Sequence, residues 1–320
     1  MYRIALIACL LFSQAALAQS PVLPGFPPGV FQDTAAIEAS GSGAPAYSGP
    51  GDLASGWAFW WGLRGFSAAY STGSNPAIDI CDTATGLTCT TGIKILSNGN
   101  LDVATAAAAP ACAVSCSVTK WYDQTNHGYH QTQVGFGIAY APILKFNCIG
   151  TLPCLSFTGT QFFENIANLF GGQAQPLTVS FAGEQIASGA YESVLNDDGH
   201  AVSTLFGSSS NTVADYAGSV ATAPANTGAF HAVQMVMNGA ASACSGTTSC
   251  IYVDGNSTAG SPGTNGWSAN AAISISYNSG RYITGYLLED GMLAAGMTTT
   301  LANQVCHQQA AYWGIAGTTC

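Results

Sequence analysis

Short runs in which apolar and polar residues alternate recur along this chain, separated by Gly, Asn and Asp. A period of two is the signature of a strand with one face buried. Leu177 to Phe181 alternates apolar with hydroxyl residues, and Phe230 to Met237 reads as a strand that stops at Asn238-Gly239. Cys250 to Val253 is a short strand ending at the turn Asp254-Gly255. Ile273 to Tyr277 and Arg281 to Leu288 read as a hairpin around Asn278-Ser279-Gly280. Only Thr299 to Trp313 carries helical spacing, with Leu301, Val305 and Tyr312 on or near one face and Gly314 behind it. Many short strands, Gly-rich turns and one late helix predict an all-β, two-sheet sandwich with one short C-terminal helix.

The first residues break this pattern. Arg3 precedes an apolar run from Ile4 to Phe12, too short to span a bilayer, and Ala16-Leu17-Ala18 is a small-x-small cleavage signal. Residues 1–18 therefore read as a secretory signal peptide, and no later run is long and apolar enough for a membrane span. Residues 19–55 hold Pro21, Pro24, Pro27, Pro28, Pro45 and Pro50, and read as an arm or linker. The sandwich is then expected over 56–320, with no internal repeat and as a monomer.

Cysteine spacing fits export. Of 11 cysteines, Cys9 falls in the leader, which leaves an even set in close couples. The expected bridges are Cys81 with Cys89, Cys112 with Cys116, Cys148 with Cys154, Cys244 with Cys250, and Cys306 with Cys320. No CxxC pair recurs and the histidines are scattered, so neither a metal nor another cofactor is expected. Charge narrows the partners. Lys and Arg total 6 against 16 Asp and Glu, a net charge of −10, which argues against nucleic acid. Only 7% of residues are charged and 48% are hydrophobic, which argues against disorder and for a surface that is polar without being ionic.

The densest motif runs from Cys112-Ala-Val-Ser-Cys116 through Trp121-Tyr122-Asp123-Gln124 to His130-Gln131-Thr132-Gln133. Asp123, Gln124 and Asn126 have the side chains that hold tight turns by bonding to the backbone. This segment resembles the cysteine loop and YDQSGNGNHLTQ-type stretch of the α-L-arabinofuranosidase B catalytic domain, a secreted glycoside hydrolase family. Gly65 to Ser71 is similar to that family's first strand, and Gly285 to Met292 to its last. The resemblance implies a concanavalin-like or laminin-G-like sandwich that hydrolyses terminal arabinofuranosyl groups of plant polysaccharide with retention. Retention needs two carboxyl groups about 5 Å apart, and the family uses a Glu nucleophile and an Asp acid/base.

Carried onto this chain, the resemblance puts Asn278 at or beside the acid/base position, where an amide cannot serve as the acid. The nearest carboxylate to the nucleophile region is Asp215, and the family's adjacent cysteine pair has no counterpart. Asp215 and Glu289 are therefore the candidate catalytic carboxyls. Trp267, read as lying in a loop, is with Tyr277 and Asn278 a candidate substrate contact, because aromatic faces stack on sugars. Glu184, Glu192, Asp197, Asp198, Asp254 and Asp290 read as surface or turn carboxylates. The expected partner is a polysaccharide or glycan. The rival expectations are a non-catalytic glycan-binding or adhesion sandwich and a purely structural envelope protein.

Overall fold

The computed structural model describes residues 47–320, apart from 134–136, 187–190, 198–200, 208–210, 240–242, 247 and 278–279. The leader and residues 19–46 of the arm lie outside the described residues, as does Asn278. The chain from Ala46 to Cys320 is one compact unit.

Helix α1 (Pro50–Leu53) is a single turn, followed by β1 (Trp57–Gly62), β2 (Pro76–Asp82) and β3 (Cys89–Lys94). Helix α2 (Val103–Ala108) precedes β4 (Cys116–Trp121), β5 (Gln131–Thr132), β6 (Ile143–Ile149), β7 (Leu152–Thr158) and β8 (Phe163–Phe170). Next come β9 (Leu177–Gln185), β10 (Glu192–Asp197), β11 (Ser203–Phe206), β12 (Thr212–Tyr216) and β13 (Val220–Pro224). The last elements are β14 (Phe230–Met237), β15 (Cys250–Val253), β16 (Asn256–Ala259), β17 (Ala271–Ile275), β18 (Thr284–Leu293) and α3 (Thr299–Trp313).

All described pairings are antiparallel, and they make two layers. The front sheet runs β3-β2-β4-β5-β8-β17-β10-β11-β12-β13. The back sheet runs β16-β15-β14-β9-β18, with β1 and β7 end to end on the far edge of β18. Strand β6 pairs with β7 and touches β4 at Ser117 opposite Ile143, so it joins the layers along one side. The expected hairpin between 273 and 288 is a crossover instead. Strand β17 pairs with β8 and β10 of the front sheet, while β18 is central to the back sheet. Both strands need buried partners on each edge, and a hairpin would have used one edge of each on the other.

Phe59, Trp61, Trp121, Phe163, Phe181 and Phe206 belong to the main core between the sheets. A second core lies under α3 and contains Trp57, Trp60, Val236, Tyr252, Leu293, Met297 and Val305. The back sheet is therefore buried on both faces, which is why β1 is apolar at nearly every position. An irregularity in its register between Trp57 and Phe59 sends Trp57 and Trp60 toward the helix, and Phe59 and Trp61 inward. Gly291, opposite Trp60, leaves room for that indole: a Cβ there would sit 2.3 Å from the ring.

Helix α3 spans the residues expected of it. Thr298 caps it by accepting the Leu301 N–H at 3.2 Å, and Gly314 ends it at φ +70°. Its buried face is Ala302, Val305, Cys306, Gln309, Ala310 and Trp313, with Leu301 and Tyr312 half-buried at its margins. Gln309 accepts a bond from Gln234 at 2.7 Å and donates one to Ser180 at 3.3 Å, tying the helix to the sheet. All five expected disulfides are formed. Residues 47–54, expected in the arm, lie against the sandwich: the Tyr47 hydroxyl donates to the Gly65 carbonyl, and the Gly51 N–H to that of Phe66.

The Asp123-Gln124 turn fastens β1. Asp123 Oδ1 accepts the Trp60 N–H at 3.2 Å, the Thr125 N–H at 3.0 Å and the Thr125 hydroxyl at 2.8 Å; Oδ2 accepts the Tyr129 N–H at 3.1 Å. Gln124 donates to the carbonyls of Gly62 and Arg64 and accepts the Phe66 N–H at 2.7 Å. Both side chains are almost fully buried. Replacing Asp123 with Ala strands several donors, and is expected to cost on the order of 1–3 kcal/mol of stability. Chemical denaturation with and without glycan checks this, since the loss should be the same in both.

Candidate functional site

Asp215 sits in β12 between Val213 and Ala217, opposite Thr204 of β11 and Ala221 of β13. Val213, Ala217 and Ala221 are all main-core residues, so alternation points Asp215 into the layer between the sheets. Its residue exposure is 0%, and neither carboxyl oxygen meets a partner from another described residue. Burial pushes its pKa up from 3.8 to about 8. At neutral pH it is a carboxylic acid, chemically suited to donating a proton and unsuited to acting as an ionised nucleophile.

Glu289 faces the other way. A register irregularity at Leu288 sets the parity of β18, so that Asp290 stands opposite Trp61 and Phe181, while Glu289 stands opposite Gly62 and Ala182. Glu289 receives Arg64 Nε at 2.5 Å and Nη2 at 2.9 Å, with both side chains at 0% exposure. The guanidinium also lies 5.2 Å from the Tyr312 ring centroid of α3 and bonds the Gln308 carbonyl at 3.4 Å. Glu289 thus lies beneath α3 and Asp215 between the sheets, so the two candidate carboxyls are not brought together.

Trp267 is not a surface contact. It is 3% exposed and packs edge-on against Phe59 and Phe170, at 6.1 and 6.2 Å between ring centroids. A backbone bridge with Gln173 draws its segment onto the sandwich, and the main core takes in the indole. Tyr277 follows β17, half-buried, with its ring 4.9 Å from that of Phe162.

Three carboxyl sites carry more chemistry than their sequence context suggests. Asp290 is fully buried and has no side-chain partner; burial holds its pKa well above the usual carboxylate range, against the pull of the Gly291 N–H. Glu192 accepts the Thr284 N–H at 3.1 Å, and burial outweighs its hydrogen bonds to lift its pKa to about 7. Asp254, at φ +53°, binds His231 Nδ1 at 2.6 Å and the Ala232 N–H at 2.9 Å, while His231 Nε2 meets the Asn226 carbonyl at 2.9 Å. Burial opposes the charge on His231, but these acceptors prevail and raise its pKa. Alternation across Phe230-His231-Ala232 was the available signal for His231, and nothing local pointed to Asp254 as its partner. Among the described residues, no three His, Cys, Asp or Glu side chains form a group that could hold a metal ion.

No family profile and no curated protein sequence matches the chain. Solved structures do. An arabinofuranosidase complexed with arabinofuranosyl-α-1,2-xylobiose superposes with a TM-score of 0.59 at 15% identity, over 82% of this chain and 65% of that one. A Glu-to-Gln mutant of a GH54 α-L-arabinofuranosidase soaked with 4-nitrophenyl α-L-arabinofuranoside gives a TM-score of 0.61 at 14% identity, with the same coverage. This chain therefore spans 65% of the length of those proteins. Its fold is the β-sandwich of the GH54 α-L-arabinofuranosidases.

The Arg64–Glu289 pair yields a direct test. Glu289→Ala leaves a fully buried guanidinium without its counter-ion, and should destabilise the fold by about 3–5 kcal/mol. Replacing both residues with apolar side chains of similar volume should recover much of that loss. Thermal and urea unfolding of the three proteins checks both expectations.

Proposed function

We propose that this chain is a secreted, monomeric carbohydrate-active protein that hydrolyses terminal α-L-arabinofuranosyl groups of plant polysaccharide with retention. The observation that carries the reading is the likeness to arabinofuranosidase structures over 82% of the chain, together with the motif at 112–133. Asp215 is the carboxyl we assign to the chemistry, with Tyr277 and Asn278 beside the substrate. Because its proton is retained at neutral pH, the assigned step is donation to the leaving oxygen, and retention then requires a second carboxyl to take up the anomeric carbon as that bond breaks.

A second reading, a glycan-binding sandwich without hydrolytic activity, is favoured by a specific observation. Asp215 is enclosed, Glu289 is engaged by Arg64, and no second carboxyl contacts Asp215 among its described neighbours. Turnover of 4-nitrophenyl α-L-arabinofuranoside, with the anomer of the product read by NMR, separates the readings. An aryl leaving group needs little protonation, so its turnover should be easier to detect than release from arabinan.

Asp215→Asn should lower release from arabinan about 10²–10⁴-fold, and turnover of the aryl arabinofuranoside much less. The same variant tests the environment of Asp215 without any substrate. A carboxyl whose pKa is raised on folding binds its proton more tightly in the native state, so stability falls as pH rises from 3.8 toward about 8. Asp215 should contribute about 1.4 kcal/mol per pH unit to that slope, and Asp215→Asn should lose this contribution while Asp290 and Glu192 keep theirs. Release from arabinan unaffected by Asp215→Asn would overturn the assignment, and no turnover from a folded wild type would favour the binding reading.

A further inference from the structure

Three segments distant in sequence bring aromatic rings together beside the start of β8. Phe162, 2% exposed, is flanked by Tyr140 at 6.0 Å, Tyr277 at 4.9 Å and Tyr282 at 6.1 Å between ring centroids. Tyr277 and Tyr282 are themselves 6.1 Å apart, at 51°. Tyr140 is 41% exposed, and Tyr277 and Tyr282 are half-buried. Sealing Phe162 would need only aliphatic neighbours. Three tyrosines instead cover it with broad rings that join an apolar face to a polar edge.

A cation neighbours Tyr282 in sequence. Arg281 precedes Tyr282, is exposed, and lies 5.8 Å from the Tyr191 ring centroid. Its backbone carbonyl accepts the Ser193 N–H at 3.1 Å, fixing this part of the β17–β18 crossover to β10. The chain has 6 Lys and Arg in all, and the other described arginine, Arg64, is sealed in its ion pair.

We propose that Tyr140, Tyr277 and Tyr282, seated on Phe162, form a stacking platform for a neutral glycan chain. The proposal rests on the carbohydrate reading above and adds where the polymer is held. Sugar rings present apolar C–H faces that pack on aromatic planes, while their hydroxyls meet the tyrosine edges. Tyrosine is suited to this because it offers a large, rigid, amphipathic contact at low cost in side-chain entropy.

The test is affinity electrophoresis in gels containing arabinan or arabinoxylan, with hydrolysis of the aryl arabinofuranoside measured in parallel. Tyr140→Ala and Tyr282→Ala should each weaken binding about threefold to tenfold, a loss of about 0.5–1.5 kcal/mol. Tyr140→Phe and Tyr282→Phe keep the rings and should retain most of the binding, which also controls for folding. Tyr122→Ala, at an aromatic held elsewhere by Asp79 and Lys120, should leave retardation unchanged. Equal retardation of wild type and both Ala variants overturns the platform and leaves the carbohydrate reading standing. A wild type that neither polymer retards also overturns it, and the hydrolysis arm then decides whether the carbohydrate reading survives.

Discussion

The structure depends on a sheet buried on both sides. Strand β1 supplies Phe59 and Trp61 to the core between the sheets, and Trp57 and Trp60 to the core beneath α3. A strand loaded this way has no polar face to set its orientation, so something else must fix its register. Asp123 and Gln124 do so through bonds to the backbone of Trp60, Gly62, Arg64 and Phe66. Their effect extends to the candidate carboxyls, because β1 pairs with β18 across Glu289 and Asp290. The motif that most resembles a hydrolase family is thus occupied with holding the scaffold.

Sealing both layers also determines what each acidic group can do. A carboxyl in a dry layer either finds a counter-ion or keeps its proton. Glu289 takes the first course with Arg64, while Asp215 and Asp290 take the second. The choice follows from which face of a strand a residue occupies. Glu289 and Asp290 are adjacent in sequence, yet one meets a guanidinium beneath the helix and the other meets Trp61 and Phe181.

Local features of the fold were legible in the sequence, and features that depend on distant partners were not. Strands 230–237 and 250–253 and the helix 299–313 each carry their own period and stop signal, so their limits could be read directly. The disulfides were readable because each closes a short loop. The crossover after β17 looked like a hairpin because turn residues specify a reversal without naming the sheet that receives the next strand. Trp267 looked exposed because its neighbours are small and polar; the rings that bury it, Phe59 and Phe170, lie far away in the chain. Asp215 was identifiable as a rare carboxylate, but its enclosure depends on β11, β13 and the opposite sheet.

The low charge gives these observations a common direction. With 7% of residues charged, the chain has few ways to hold a ligand through ions, and its exposed chemistry is mainly hydroxyls, amides and aromatic edges. Such a surface matches neutral sugars better than anionic partners, because it offers hydrogen bonds and stacking without a desolvated charge. Hydrolysis requires more: two carboxyls whose environments differ and whose oxygens reach one bond. Asp215 has a suitably altered environment but is enclosed, whereas the tyrosines around Phe162 reach the surface. Under the two proposals above, a glycan would meet the tyrosines on the static scaffold, whereas an acid role for Asp215 would require the sandwich to open enough for a sugar oxygen to reach its proton.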